Sequence, residues 1–240
     1  MDVFEAITKR RSIRKYLDIP VEWEKVGRIL EAARHSPSAG NIQEWKFIVV
    51  TKPEIRREIA SAALSQEWIA NAPVNIVIVA LIEKIKRHYG LRGERLYSIQ
   101  DCAVAATNIM LAAQELGLAT CWVGAFDENK LQRALNLPDD VRPQIILTLG
   151  YADEKPPVPP RYPLVGLVYF EKYTHASNVG RIKDLDKVLW DVNIVGRAVE
   201  NTKREAGDLE KLTRKRRREI FEKIKENCKT LSEKLKKRRA

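Results

Sequence analysis

The run VNIVIVALI, starting at Val74, constrains the fold more than any other segment. Its β-branched content marks a buried strand, and its length is far short of the roughly 20 apolar residues that a membrane span needs. A buried strand requires further strands beside it and other elements packed on its faces. The rest of the first 150 residues offers both. Val3, Phe4 and Ile7 make one helical stripe, and Val26, Ile29, Leu30 and Ala33 make a second within Glu22 to His35. KFIVV from Lys46 reads as a strand, and a helix starts near Pro53, where proline suits the first turn. The Ala- and Leu-rich stretch from Tyr97 to Leu116 is the expected central helix. CWVGAF, a short helix from Glu128 to Leu135, and QIILTLG add two more strands. The pattern predicts a layered α+β domain, with α/β as the alternative.

The 240 residues, 45% of them hydrophobic and 31% charged, suffice for one full core and an appendage. Past the body, KPPVPPRYP is too rich in proline for regular structure and should run extended, and GLVYFEKY reads as one more strand. From about Thr174, Ile182, Leu185, Leu189 and Val192 form a helical stripe that resumes with Ile220, Ile224, Leu231 and Leu235. The organisation expected is a domain over 1–173 and a basic amphipathic helical extension over 174–240.

The formal charge of +11 is unevenly distributed: residues 203–240 hold 16 Lys or Arg against 7 Asp or Glu, which leaves the body almost neutral. KRRR from Lys215 and KKRR from Lys236 fit a solvated arm packed on the body. Nucleic-acid binding through residues 203–240 is the second reading and a membrane-surface helix the third. No N-terminal stretch has the order of a signal peptide, so a cytoplasmic protein is expected. Cys102, Cys121 and Cys228, with His35, His88 and His175, show no metal-ligand or disulfide spacing. Neither a GxGxxG fingerprint nor a GxxxxGK[ST] loop is present, so any nucleotide cofactor is bound in another way.

Four segments carry chemical interest. RRSIRKY crowds Arg10, Arg11, Arg14 and Lys15 together at the end of the first helix. That is either a solvated helix end beside a negative dipole terminus or a place for an anion. PSAGNIQEW, from Pro37 to Trp45, is a turn of small and amide residues that exposes hydrogen-bonding groups. In GLATCWVGAF, Gly117 can cap the preceding helix and Gly124 permits close approach to backbone. GYADEKPPVPPR brings Arg161 off an extended segment. Each has a plain structural reading when taken alone.

In this order, the four resemble the nitroreductase family of flavin enzymes, whose members read RRSxRxF, PSxxNxQPW, GLGxCWxGxF and then Gly-Tyr with prolines and a basic residue. The resemblance covers roughly the first 173 residues and implies a nitroreductase-like layered sheet flanked by helices, followed here by a C-terminal helical extension. It implies FMN as cofactor and NADH or NADPH as electron donor. Arg10, Ser12, Arg14 and Arg161 are then expected to hold the FMN phosphate and the polar end of its ring, with Arg11 also inside the motif. A homodimer is implied, in which Pro37, Ser38, Ala39, Asn41 and Gln43 reach the flavin of the neighbouring subunit. The backbone at Val123 and Gly124 is expected near flavin N5.

The family resemblance assigns no catalytic side chain and no metal, because flavin N5 carries the chemistry. A ping-pong reduction of nitroaromatics, quinones or flavins is expected, with Trp68 and Tyr97 as candidates for the substrate pocket. A specialised relative, such as a dehalogenase or flavin destructase, is the alternative within the family; a flavin-binding platform with a nucleic-acid-binding tail is the alternative outside it. Glu44 departs from the family pattern by replacing the proline before Trp45. Pointed at the flavin it would lower the potential, and pointed to solvent it would do nothing.

Overall fold

The run from Val74 forms β2, Val74–Leu81, and every residue of it but the last is buried. The computed structural model describes residues 1–162, 167–169 and 172–173. Beside β2 lie β1, Trp45–Val50, on one side and β4, Val141–Gly150, on the other; β3, Ala119–Val123, completes the order β1-β2-β4-β3. Every neighbouring pair is antiparallel. β1 and β3 are therefore the two edges.

Helices cover both faces, which explains a continuous apolar run in an antiparallel sheet. Ile76, Ile78 and Ala80 of β2 point into one core with α2, Trp23–Arg34, and α6, Ser98–Glu115. Val77 and Val79 point into the other, shared with α3, Pro53–Ala62, α4, Trp68–Asn71, and α7, Glu128–Leu135. Successive side chains of a strand alternate between faces, so a strand between two helical layers is apolar on both, and Asn75 is the one polar side chain of β2. The short α1, Val3–Lys9, is capped by Asp2. Helix α5, Ile82–Arg92, and a π-helical turn, Gly93–Tyr97, link β2 to α6. Among the described residues no helix is long and apolar enough to cross a membrane.

Two expectations change. The cationic cluster does not end a helix: α1 stops at Lys9, and residues 10–17 run along the sheet instead. Ser12 bridges in parallel to Thr120, Ile13 N–H donates to Thr120 O at 3.0 Å, and Leu17 N–H donates to Tyr151 O at 2.9 Å. These hydrogen bonds outcompete continuation of a helix whose own stripe is exposed. The segment read as the strand GLVYFEKY shows no strand at Leu167–Tyr169 or at Lys172 and Tyr173. Extended backbone becomes a strand only with a partner ladder. The first compact unit comprises Met1–Pro159. The two expected tail helices lie outside the described residues.

Candidate functional site

The residues singled out in the sequence, apart from Arg161 of the second compact unit, lie in two places at opposite edges of the sheet. The first lies along β3. Residues 10–17 are held between the start of β3 and the chain that leaves β4. Asp153 N–H donates to Lys15 O at 2.9 Å, and the Glu154 carboxylate accepts the backbone N–H of Arg14 and of Lys15. Those N–H groups, that of Arg14 first, hold the Glu154 carboxyl below its usual range. Tyr16 fixes the segment from beneath, its hydroxyl 2.6 Å from Thr148 Oγ1. Gly150 makes room for this ring, since a Cβ there would lie 2.9 Å from Tyr16 Cδ1 and 2.7 Å from Pro73 Cδ.

On this clamped segment, Arg10, Arg11 and Ser12 are half-buried and Arg14 is exposed. Arg11 turns back to the Thr8 and Arg10 carbonyls. The Arg14 guanidinium stands 5.7 Å from the centroid of the Trp68 ring, so Trp68 is a support for that cation. Among the described residues, neither Arg10 nor Arg14 forms an ion pair. Val123, buried, and Gly124, exposed, lie at the other end of β3. Arg161 belongs to the second compact unit and is exposed there.

The second place is the turn that leads into β1. Gly40, Asn41 and Gln43 all have left-handed backbone, with φ of 56°, 56° and 52°. For a Gln this conformation is strained by about 1 kcal/mol or more, so other contacts must hold it. They are present: Gln43 N–H donates to Ser38 Oγ at 3.1 Å, its side-chain amide donates to Asn41 Oδ1 at 2.9 Å, and Lys84 donates to its carbonyl at 3.2 Å. Gly40 lies against Tyr89, whose hydroxyl would be 2.5 Å from an added Cβ. Tyr97 meets Tyr89 edge to face, ring centroids 5.1 Å apart, and its hydroxyl accepts from Arg92 at 2.9 Å. Pro37, Asn41 and Gln43 are exposed, and Ser38 and Ala39 are half-buried.

Within one chain, the two places cannot meet. Strand order puts β1 three strand spacings from β3, about 14 Å. Register puts Trp45 level with Ala80, whereas Thr120 is level with Leu149 and so with Val74. The six-residue difference along β2 adds about 20 Å. The turn and the arginine segment thus occupy diagonal corners.

Sequence reasoning missed Asp101 and left the direction of Glu44 open. Glu44 is fully buried: its two carboxyl oxygens have no well-formed hydrogen-bond partner, only its own backbone N–H being close enough to favour the charged form, and its carboxyl is adjacent to that of Asp101 on α6. Burial first, then the adjacent Asp101, push its pKa up to about 7, while Lys84 pulls the other way. Asp101 Oδ2 in turn accepts the Ala39 N–H at 2.9 Å. The available signal was an acid inside the apolar stripe of the central helix, SIQDCAVAA. Burial also raises the pKa of Cys102, with Glu44 and Asp101 adding to the effect.

The chain is similar to known proteins in sequence and fold. A family model described as Nitroreductase family matches residues 7–67 and 60–151. A Methanothermobacter thermautotrophicus protein provisionally named NADH dehydrogenase/NAD(P)H nitroreductase is 38% identical over 162 residues, 65% of this chain and 80% of that one. A Bacillus subtilis FMN reductase, NAD(P)H-type, is 30% identical over 74% of this chain and 77% of its own length. The solved structure of an FMN-dependent nitroreductase from Clostridium difficile superposes with a TM-score of 0.59 at 30% identity, covering 72% of this chain and 99% of that one.

Proposed function

The chain belongs to the nitroreductase family, and from that premise we propose that it is an FMN-dependent oxidoreductase that takes electrons from NADH or NADPH and passes them to a nitroaromatic, a quinone or a free flavin. Bound FMN would supply N5 as the atom that receives and returns hydride, donor and acceptor alternating at one face. The chain holds, orients and sets the local field.

Arg10 and Arg14 would hold the phosphate and the polar end of the ring through forked, charged hydrogen bonds, with Ser12 as a further donor and Arg11 beside them, and the family motif adds Arg161. Their positive charge favours the electron-rich form of the ring. The backbone at Val123 and Gly124 borders N5, Gly124 having no side chain to obstruct it. Trp68 and Tyr97 flank the acceptor. The donor set supports this assignment: Arg10 and Arg14 stand on a segment fixed by backbone hydrogen bonds, and neither guanidinium is neutralised by a carboxylate among the described residues.

The observation that carries the reading is the diagonal separation of the two clusters. A single chain offers half of a flavin site at each corner, so the site is completed when Pro37, Ser38, Ala39, Asn41 and Gln43 of one copy reach the arginine segment of another. We therefore read the functional unit as a homodimer. Val3, Phe4 and Ile7 on α1 and Ile99 and Val104 on α6 are exposed, an apolar surface suited to a second copy.

An anaerobic absorbance spectrum of the FMN-loaded protein, before and after NADH and then NADPH, tests the reading. The flavin band should bleach with at least one of them and return when a quinone is added. A bound flavin that neither nicotinamide bleaches would overturn the reductase assignment.

A further inference from the structure

Two carboxyl groups face one another beneath the strained turn. Glu44 is fully buried, and neither of its oxygens has a well-formed hydrogen-bond partner; its own backbone N–H is close enough to favour the charged form but is outweighed by burial. Asp101, itself buried, uses Oδ2 to accept the Ala39 N–H at 2.9 Å, which ties the turn to α6. Two ionised carboxylates cannot face each other in a dry site without strong repulsion; the arrangement is satisfied when one of them carries a proton and donates it to the other.

We propose that Glu44 carries that proton and donates it to Asp101, and that this acid pair is a positioning latch. It holds the Ala39 N–H and so sets where the turn from Ser38 to Gln43 stands against the flavin of a second copy. The inference rests on the assignment of that turn to the flavin. Glu44 and Asp101 touch neither flavin nor substrate and act through Ala39.

The surroundings favour Glu44 as the proton carrier. From α6 it is faced by Asp101 and Cys102, and from α5 the nearest cation is Lys84, whose ammonium is engaged on the Gln43 carbonyl at 3.2 Å. The Glu44 backbone carbonyl is occupied by Leu81 N–H at 2.9 Å, which fixes the residue where β1 begins. Burial of the carboxyl is the largest influence on its titration. When pH rises above neutral the proton is lost, two like charges face each other, and the Asp101 hold on Ala39 is disturbed. Flavin binding then weakens.

The test is a fluorescence titration of FMN into the full-length apoprotein, from mildly acid to mildly alkaline pH, for the wild type and Glu44→Gln. The glutamine amide keeps a donor toward Asp101 and has no proton to lose. The FMN phosphate itself titrates at about pH 6, as phosphate esters do, but that effect is common to both proteins and cancels in the ratio of their dissociation constants. The ratio of wild-type to Glu44→Gln dissociation constants should stay level in acid and climb above neutral, by up to about tenfold per pH unit. A ratio independent of pH overturns the latch.

Two controls separate the causes. Asn41→Ala should weaken FMN at every pH. If it binds FMN as the wild type does, the turn is not against the flavin, and the proposal falls with that assignment. If Asn41→Ala weakens binding while the ratio stays flat, the turn assignment stands and the acid pair is refuted. Infrared spectra of the flavin-free protein give an independent readout: a protonated carboxyl band that fades as pH passes neutral and is missing in Glu44→Gln supports the pair. Its absence from the wild type overturns it.

Discussion

Arg10→Ala will release FMN and leave the fold intact. Among the described residues no carboxylate pairs with this guanidinium, so its removal orphans no buried charge and should change stability by no more than about 0.5 kcal/mol. Its assigned partner is a phosphate, and a charge-assisted hydrogen bond of that kind contributes about 1.5–3 kcal/mol. The FMN dissociation constant should therefore rise by about one to two orders of magnitude. Arg14→Ala should do the same while also removing the contact with Trp68, and the double variant should purify without flavin. Fluorescence titration measures the loss, and urea unfolding of the apoproteins establishes that stability is preserved. A double variant that retains stoichiometric FMN through gel filtration would remove both arginines from the site.

Stability of the apoprotein should fall as pH rises from about 4.5 to about 7, and Glu44→Gln should abolish most of that fall. The folded carboxyl holds its proton up to about 7, whereas an unfolded one gives it up at about 4.5. Across that window the folded state binds more protons than the unfolded state, so the unfolding free energy decreases with pH; outside it Glu44 adds no slope. At up to about 1.36 kcal/mol per pH unit within that window, the loss is appreciable against a total of about 5–15 kcal/mol. Urea midpoints at matched pH values measure it. Equal slopes for wild type and Glu44→Gln would show that Glu44 is ionised throughout.

Most of the sheet and its helices can be read from periodicity, because burial on both faces imposes it. Val74–Leu81, Pro53 at the start of α3, and Glu128–Leu135 all stand where the pattern puts them. Helix α5 is not visible in this way: IEKIKRHYGLR is mostly polar, and Gly90, at φ 55°, interrupts it. The arginine segment was legible as a motif but not as a conformation. Its hydrogen-bond partners, Thr120 and Tyr151, lie more than a hundred residues away, and local preference alone extends the helix. A separation of 62 residues hides Asp101 in the same way, since its meaning depends on meeting Ala39 across the fold. Glu44 stays open in the sequence because a charged residue in a polar turn can face solvent or a ligand, and its burial beside Asp101 is a product of the tertiary fold.

Diagonal placement of the two clusters makes inheritance of a defect depend on which chain carries it. A site built from the arginine segment of one subunit and the turn of the other can be spoiled from either side, and Arg10→Ala and Asn41→Ala spoil it from different sides. In a mixed dimer both lesions fall on one site, and the other is wild type throughout. Unfolded together in equal amounts and refolded, the two defective proteins should recover about a quarter of wild-type flavin occupancy, since about half of the randomly paired dimers are mixed and each holds one sound site. Two alleles that each fail alone would then complement in trans.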